Sequence, residues 1–329
     1  MLAELERVPR LELASTPTAL QEAPRLARAL GLQRLLVKRD DNTGLALGGN
    51  KARKLEYLVA DAQREGADVL LTVGGPQSNH CRSTAAAARL AGLDAQLVFS
   101  GPPVAAVQGN LVLDRLLGAT WSFPGPDQTA AARLEELADE LRAAGRRPYV
   151  IPVGGSNGLG ALGYVRGALE LDAQLAERGE RPDYVVCAAG SCGTLAGLTL
   201  GLAVAGRAVQ VAGVSVSTST VDRVGRTRQV MEEACSILDL ALPDARPVVW
   251  DQYVGAGYGI PTDLSRRALE LAAGCEGLIL DPVYTAKALG GLLGEVEAGR
   301  VAPDDLVVFV HTGGTPALFA ETELYWRPD

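Results

Sequence analysis

Short runs rich in Val, Leu and Ile alternate along the chain with longer stretches in which apolar positions recur every three or four residues. The short runs predict strands at Leu35–Lys38, Val69–Val73, Gln96–Phe99, Tyr149–Pro152, Val185–Ala188, Val209–Val216 and Leu306–Val310. The longer stretches predict helices at Ala52–Glu65, Asn79–Ala91, Gln128–Ala144, Gly160–Glu177, Thr194–Val204, Pro261–Ala273 and Thr285–Ala298. Gly66, Gly92 and Gly145 directly follow three of these helices, where a residue free to adopt positive φ ends the spiral. Regular strand–helix alternation predicts an α/β fold with parallel sheets covered by helices. In such sheets ligands bind beyond the carboxyl ends of the strands. The chain carries no internal repeat and no low-complexity tract; its softest stretches are Gly101–Pro103 and Gly179–Pro182.

Length and composition narrow the function. With 329 residues there is room for about two domains, and 47% hydrophobic residues supply ample core. Aromatics are only 5%, so aliphatic and alanine packing must dominate. The net charge of −8 comes without any basic stripe, which argues against nucleic acid as a partner. There is no apolar run long enough for a membrane span, and the opening MLAELERVPRLELAS has early acids and no apolar secretory core, so a cytoplasmic protein is expected. Five scattered cysteines without a CxxC pair, and two histidines, argue against a disulfide framework or a metal centre.

Several loops concentrate unusual chemistry. In Gly48-Gly49-Asn50-Lys51-Ala52-Arg53-Lys54-Leu55-Glu56 a lysine opens a helix, against the partial positive charge of the helix N-terminus. With burial, that placement lowers the ammonium pKa and yields the neutral amine that Schiff-base chemistry needs; taken alone, the same lysine is more commonly solvated. In Gly74-Gly75-Pro76-Gln77-Ser78-Asn79-His80, Ser78 suits a helix N-cap, and the backbone N–H groups suit an anion such as a substrate carboxylate. His80 as a lone imidazole is more often structural than catalytic. Ala189-Gly190-Ser191-Cys192-Gly193-Thr194 follows a strand and opens a helix, so small residues, hydroxyls and N–H groups can close on a phosphate. It lacks the GKS/T of a P-loop and is not GxGxxG, which weakens a nucleotide-binding reading. Asp281-Pro282-Val283-Tyr284-Thr285, Tyr258 within Gly255–Gly259, and His311-Thr312-Gly313-Gly314-Thr315-Pro316 complete the set. Each has a bland reading as capping or packing; together they offer a lysine, a phosphate cradle, an anion cap and two phenols.

GGNKARKLEYL, GGPQSNHCR, GSCGT, DPVYT and HTGGTPALF, in this order from about Pro9 to Phe319, resemble the aminocyclopropane-carboxylate deaminase / D-cysteine desulfhydrase family of fold type II, tryptophan-synthase-β-like enzymes. The resemblance implies pyridoxal 5'-phosphate (PLP) as cofactor, bound covalently by Lys51 and held by Asn50, Asn79, Ser191, Cys192, Gly193, Thr194, Thr285 and Thr312. It implies that Ser78, Asn79, His80, Tyr258 and Tyr284 face a small amino-acid substrate, with Lys51, Ser78, Tyr258 and Tyr284 catalytic. It also implies a homodimer and two parallel-sheet domains: a larger one of residues 1–47 and 156–329, and a smaller, mobile one of residues 48–155.

Thr285 and Thr312 stand where the deaminases carry Glu and Leu, and His80 stands where they carry Gln, which favours the desulfhydrase branch. A missing acid near the cofactor's ring nitrogen weakens its electron sink and suits loss of a good leaving group better than ring opening. The expected activity is therefore α,β-elimination from D-cysteine to pyruvate, sulfide and ammonia. The alternatives are L-cysteate sulfo-lyase, 1-aminocyclopropane-1-carboxylate deaminase and, more remotely, a non-catalytic or nucleotide-binding protein. The chain departs from the family at Pro76, at Cys192, which occupies a usually small or glycine position, at Leu195, which replaces a common histidine, and at Ser217-Thr218-Ser219-Thr220, which lacks a basic residue.

Overall fold

A computed structural model describes residues 2–217 and 222–320; Thr218, Ser219 and Thr220 of the departing stretch lie outside the described residues. The strands are β1 Leu20–Glu22, β2 Arg34–Lys38, β3 Val69–Gly74, β4 Asp94–Phe99, β5 Thr120–Ser122, β6 Pro148–Val150, β7 Tyr184–Ala189, β8 Gln210–Ser215, β9 Val248–Trp250 and β10 Leu306–Val310. The α-helices are α1 Leu2–Glu6, α2 Pro24–Leu30, α3 Lys51–Arg64, α4 Asn79–Ala91, α5 Asn110–Leu116, α6 Ala130–Ala143, α7 Gly158–Glu177, α8 Gly193–Val204, α9 Arg223–Leu238, α10 Asp263–Glu276 and α11 Thr285–Glu297.

The expected α/β architecture is present as two sheets. One has six strands in the order β1-β2-β10-β7-β8-β9, the other four in the order β5-β4-β3-β6. Every pairing is parallel except β1 with β2. Register runs through Val308, which pairs with Leu36 on one side and Val185 on the other. All five residues of β10 are buried, because helices cover both faces of the sheet and no position alternates to solvent.

Local sequence accounts for the helix ends. The Ser78 hydroxyl accepts the Cys81 N–H at 3.2 Å and caps α4, which Gly92 ends at φ +73°. Thr262 and Ser265 form a reciprocal capping box on α10.

Three helices converge on the site through close backbone contact. A Cβ on Gly163 of α7 would lie 2.1 Å from the Arg53 carbonyl of α3, and one on Gly197 of α8 would lie 2.5 Å from the Ala161 carbonyl of α7. Side chains at either glycine would hold the helices apart. The α3–α7 contact is bolted by the buried Arg53 guanidinium, which donates to Asp40 at 2.9 Å and to Glu170 at 2.9 Å. No described helix is long and apolar enough to cross a membrane.

Candidate active site

The carboxyl ends of β3, β7, β8 and β10 all open onto one cavity of about 460 Å³, within the usual size range of small-ligand sites. Asn50, Lys51, Ser78, Asn79, His80, Ser191, Cys192, Thr194, Tyr258, Tyr284 and Thr312 line it. The structure thus gathers residues separated by more than 250 positions in sequence. It does not bring Thr285 to the wall. The Thr285 hydroxyl is engaged behind the wall, donating to Asp281 Oδ1 at 2.7 Å and accepting from the Asp281 N–H at 2.7 Å. Gly193 is also off the wall, its N–H donating to Ser156 Oγ at 3.2 Å.

Lys51 is the first residue of α3 and faces the cavity. Burial lowers its ammonium pKa to about 8. One turn on, Lys54 is wholly buried and donates from Nζ to Ser156 Oγ at 3.0 Å and to the Gly154 carbonyl at 3.2 Å. Burial, then the neighbouring Lys51 charge, holds Lys54 well below the ordinary lysine range. Neither amine makes a salt bridge to a described carboxylate, so two cationic groups at one cavity lack an anion.

Donors surround these amines. Asn50 Nδ2 donates to Thr194 Oγ1 at 2.9 Å and joins the start of α3 to the first turn of α8. Ser191 Oγ meets Ser156 Oγ at 2.7 Å. A Cβ on Gly193 would lie 2.6 Å from Ser156 Oγ and 2.8 Å from Lys54 Nζ; one on Gly154 would lie 2.3 Å from Ser191 Oγ. Backbone, hydroxyls and an amine therefore close together at the N-terminus of α8, an arrangement suited to phosphate. Cys192 adopts φ +68°, the left-handed region that favours glycine. Leu195 packs in the core against β8, where a Cβ on Gly213 would lie 2.6 Å from Leu195 Cδ2. Lys54, Gly154 and Ser156 were not among the expected site residues. Lys54 was legible as the residue three positions after Lys51 on the same helix face.

The opposite side holds the phenols. Tyr258 and Tyr284 hydroxyls meet at 2.5 Å, with the rings edge to face. Burial, the largest influence, holds the Tyr284 phenol well above the ordinary range, so it stays protonated at neutral pH. Thr72 Oγ1 donates to the Ile151 carbonyl at 2.9 Å and so accepts from His80 Nε2, also at 2.9 Å. His80 Nδ1 is buried and makes no well-formed hydrogen bond among the described residues. Burial, then the Lys51 and Lys54 charges, holds His80 well below the ordinary imidazole range. His80 is thus a neutral wall residue tied to β3.

Asn79 is oriented from behind: its Oδ1 accepts from Asn110 Nδ2 at 3.0 Å and from Arg82 at 3.3 Å, which leaves its amide nitrogen as the free donor. Behind Thr285 lies an acid, Asp281. Its buried carboxylate accepts the N–H groups of Val283, Tyr284 and Thr285. Of Thr285 and Thr312, Thr312 is the one that lines the cavity.

Comparison with known proteins bears on this geometry. Residues 11–313 match the family model described as pyridoxal-phosphate dependent enzyme. The chain is 45% identical over 324 residues to a D-cysteine desulfhydrase of Klebsiella pneumoniae subsp. pneumoniae, covering 97% of this chain and 98% of that one. A D-cysteine desulfhydrase of Klebsiella pneumoniae strain 342 matches at the same identity and coverage. A crystal structure described as an ACC deaminase homologue superposes with TM-score 0.89 at 38% identity, covering 98% of this chain and 97% of that one. A fungal L-serine ammonia-lyase from Rhizomucor miehei, at 19% identity and TM-score 0.67 over 95% and 98% of the two chains, shares the fold. Two amines without a carboxylate partner beside a glycine-lined cradle fit an anionic aldehyde cofactor, and with the match over residues 11–313 the chain belongs to the pyridoxal-phosphate dependent enzymes.

Proposed function

We propose that the protein is a PLP-dependent carbon–sulfur lyase that converts D-cysteine to pyruvate, sulfide and ammonia. The observation that carries this reading is 45% identity with D-cysteine desulfhydrases over essentially the whole chain. In it, Lys51 holds the cofactor through its amine, while Lys54, Ser191, Thr194 and the α8 N-terminus take the phosphate. PLP supplies an electron sink for the negative charge left on the substrate α-carbon.

The rest of the chemistry belongs to the chain's own residues. Lys51 Nζ, neutral in an appreciable fraction at physiological pH, can take the α-proton and return one. Ser78 Oγ accepts from Cys81 N–H, so its own hydrogen is free to donate to a substrate carboxylate or to relay a proton. The Asn79 amide nitrogen donates into the cavity, held there by Arg82 and Asn110. Tyr258 and Tyr284 remain protonated and can donate a hydrogen bond to the departing sulfur.

The two domains of this reading, residues 1–47 with 156–329 and residues 48–155, are supported by strand membership: β3 to β6 form the smaller sheet and all other strands the larger. The cavity between them draws on both, so closure would exclude water. A homodimer is supported by an apolar groove of about 710 Å³ that exposes Leu47 and Phe319. A cytoplasmic setting is supported by the five cysteines, all free.

The 38% identical ACC deaminase homologue favours a second reading, ring opening of 1-aminocyclopropane-1-carboxylate. Comparing kcat/KM for D-cysteine, L-cysteate and aminocyclopropane-carboxylate tests the choice. D-cysteine should be preferred; a preference for either of the others replaces the substrate and leaves the cofactor assignment standing.

A further inference from the structure

Lys287 lies in the first turn of α11, three residues after Tyr284, and is 1% exposed. No described carboxylate pairs with it. Its Nζ instead meets three backbone carbonyls: Gly257 at 2.5 Å, Val254 at 2.8 Å and Val216 at 3.5 Å. An ammonium has three N–H groups and no acceptor, so three carbonyls use its full capacity. A cluster of carbonyl oxygens around a desolvated positive charge is the ligand set by which proteins hold potassium-sized cations. A lysine is an odd choice here, because the N-terminal end of α11 is partly positive and burial already opposes the charge.

The carbonyls identify what is held together. Val216 directly follows β8 and lines the cavity, as does the adjoining Ser217. Val254 and Gly257 belong to the loop whose next residue, Tyr258, reaches into the cavity and meets Tyr284. Among the described residues, loop and strand end are not hydrogen-bonded to each other through these carbonyls; all three oxygens meet one nitrogen, and that of Gly257 also accepts the Ile260 N–H at 3.3 Å. Without a cation they would repel one another and turn toward water.

We propose that Lys287 is a positioning residue whose tethered ammonium takes the place of a bound monovalent cation, gathering the carbonyls of Val216, Val254 and Gly257 and thereby fixing Tyr258 at the cavity. This rests on the reading of Tyr258 as a substrate-side residue. The tether makes the charge part of the chain, so wild-type turnover and stability are indifferent to which monovalent salt is present.

The test is cation rescue of Lys287→Ala, prepared in potassium buffer and transferred to tetramethylammonium buffer. The KM for D-cysteine should rise about 10-fold or more, within the range of ordinary coupling effects. Potassium or ammonium at equal ionic strength should restore most of that loss, and tetramethylammonium, too large for the carbonyl cluster, should not. The variant's Tm without substrate should rise with potassium or ammonium, as expected for a ligand bound only by the folded state, while wild type should not respond. Lys287→Met keeps the aliphatic stem and serves where the alanine variant does not fold; amide exchange across residues 254–259 should then be faster than in wild type. Wild-type KM in Lys287→Ala, recovery by every salt alike, or wild-type exchange in Lys287→Met would each overturn the proposal. The Tm and exchange readouts do not depend on the substrate, so a cation response without D-cysteine turnover would sink the substrate reading and leave Lys287's role standing.

Discussion

Lys51 is half-buried at the cavity without a carboxylate partner, and that fixes a pH at which the protein should begin to capture its cofactor. An amine taken from its ordinary value near 10.5 down to about 8 has lost about 3 kcal/mol of preference for the charged form. At pH 7 its neutral fraction becomes roughly 10%, against about 0.03% for a solvated lysine, a gain of some 300-fold in the nucleophilic form. Cofactor-free protein mixed with PLP in a stopped-flow spectrophotometer should therefore show a capture rate that climbs with pH and levels off just above 8. The same burial is a stability cost. The folded-state pKa lies below the unfolded one, so the unfolded chain binds more protons between pH 8 and 10.5, and cofactor-free stability rises with pH across that window. Removing the amine in Lys51→Met should abolish capture and stabilise the cofactor-free protein at pH 7 by up to about 3 kcal/mol, read as a higher Tm. A capture rate that keeps climbing to pH 10, together with a Lys51→Met protein no more stable than wild type, would refute the reasoning.

Gly193→Ala should weaken PLP affinity about 10-fold or more in an equilibrium titration. The new methyl would meet Ser156 Oγ at 2.6 Å and Lys54 Nζ at 2.8 Å, and overpacking of about 1–3 kcal/mol outweighs the gain of up to about 1 kcal/mol from alanine in a helix; unchanged affinity would show that the α8 N-terminus is not the phosphate cradle. Thr285→Glu should lower stability by about 3 kcal/mol or more in urea unfolding, because it buries a second carboxylate against Asp281. Asp281→Asn should recover part of that loss, and an additive double variant would contradict the contact.

The sequence was most legible where one period ran uninterrupted. The central strands β3, β7, β8 and β10 and the expected helices fell within a few residues of their observed ends, because burial on both faces writes continuous apolar runs. What escaped was short or masked by charge. β1, β5 and β9 are three-residue edge strands, and so short a run carries no period. α9 escaped although Val230, Met231, Ala234, Cys235 and Leu238 form one buried stripe, because its exposed face is dense in Arg and Glu.

At the site, the loop motifs gave most of the cavity wall, since glycine, hydroxyl and lysine clusters at strand ends have few other uses. Lys54 was legible only through its spacing, one turn after Lys51 on the same face of α3. Linear sequence does not show that Asp281 claims the Thr285 hydroxyl, a contact that only the turn at the start of α11 brings about. Lys287 looked like any helix-surface lysine until its three carbonyl partners came from segments 30 and more residues away.

The most direct test of the central claim is a single progress curve with D-cysteine in which sulfide and pyruvate are quantified together, for PLP-loaded wild type and for Lys51→Ala. The account predicts equimolar sulfide and pyruvate from wild type and neither from the variant. Pyruvate-free reaction, or sulfide release that persists without the Lys51 amine, would contradict it.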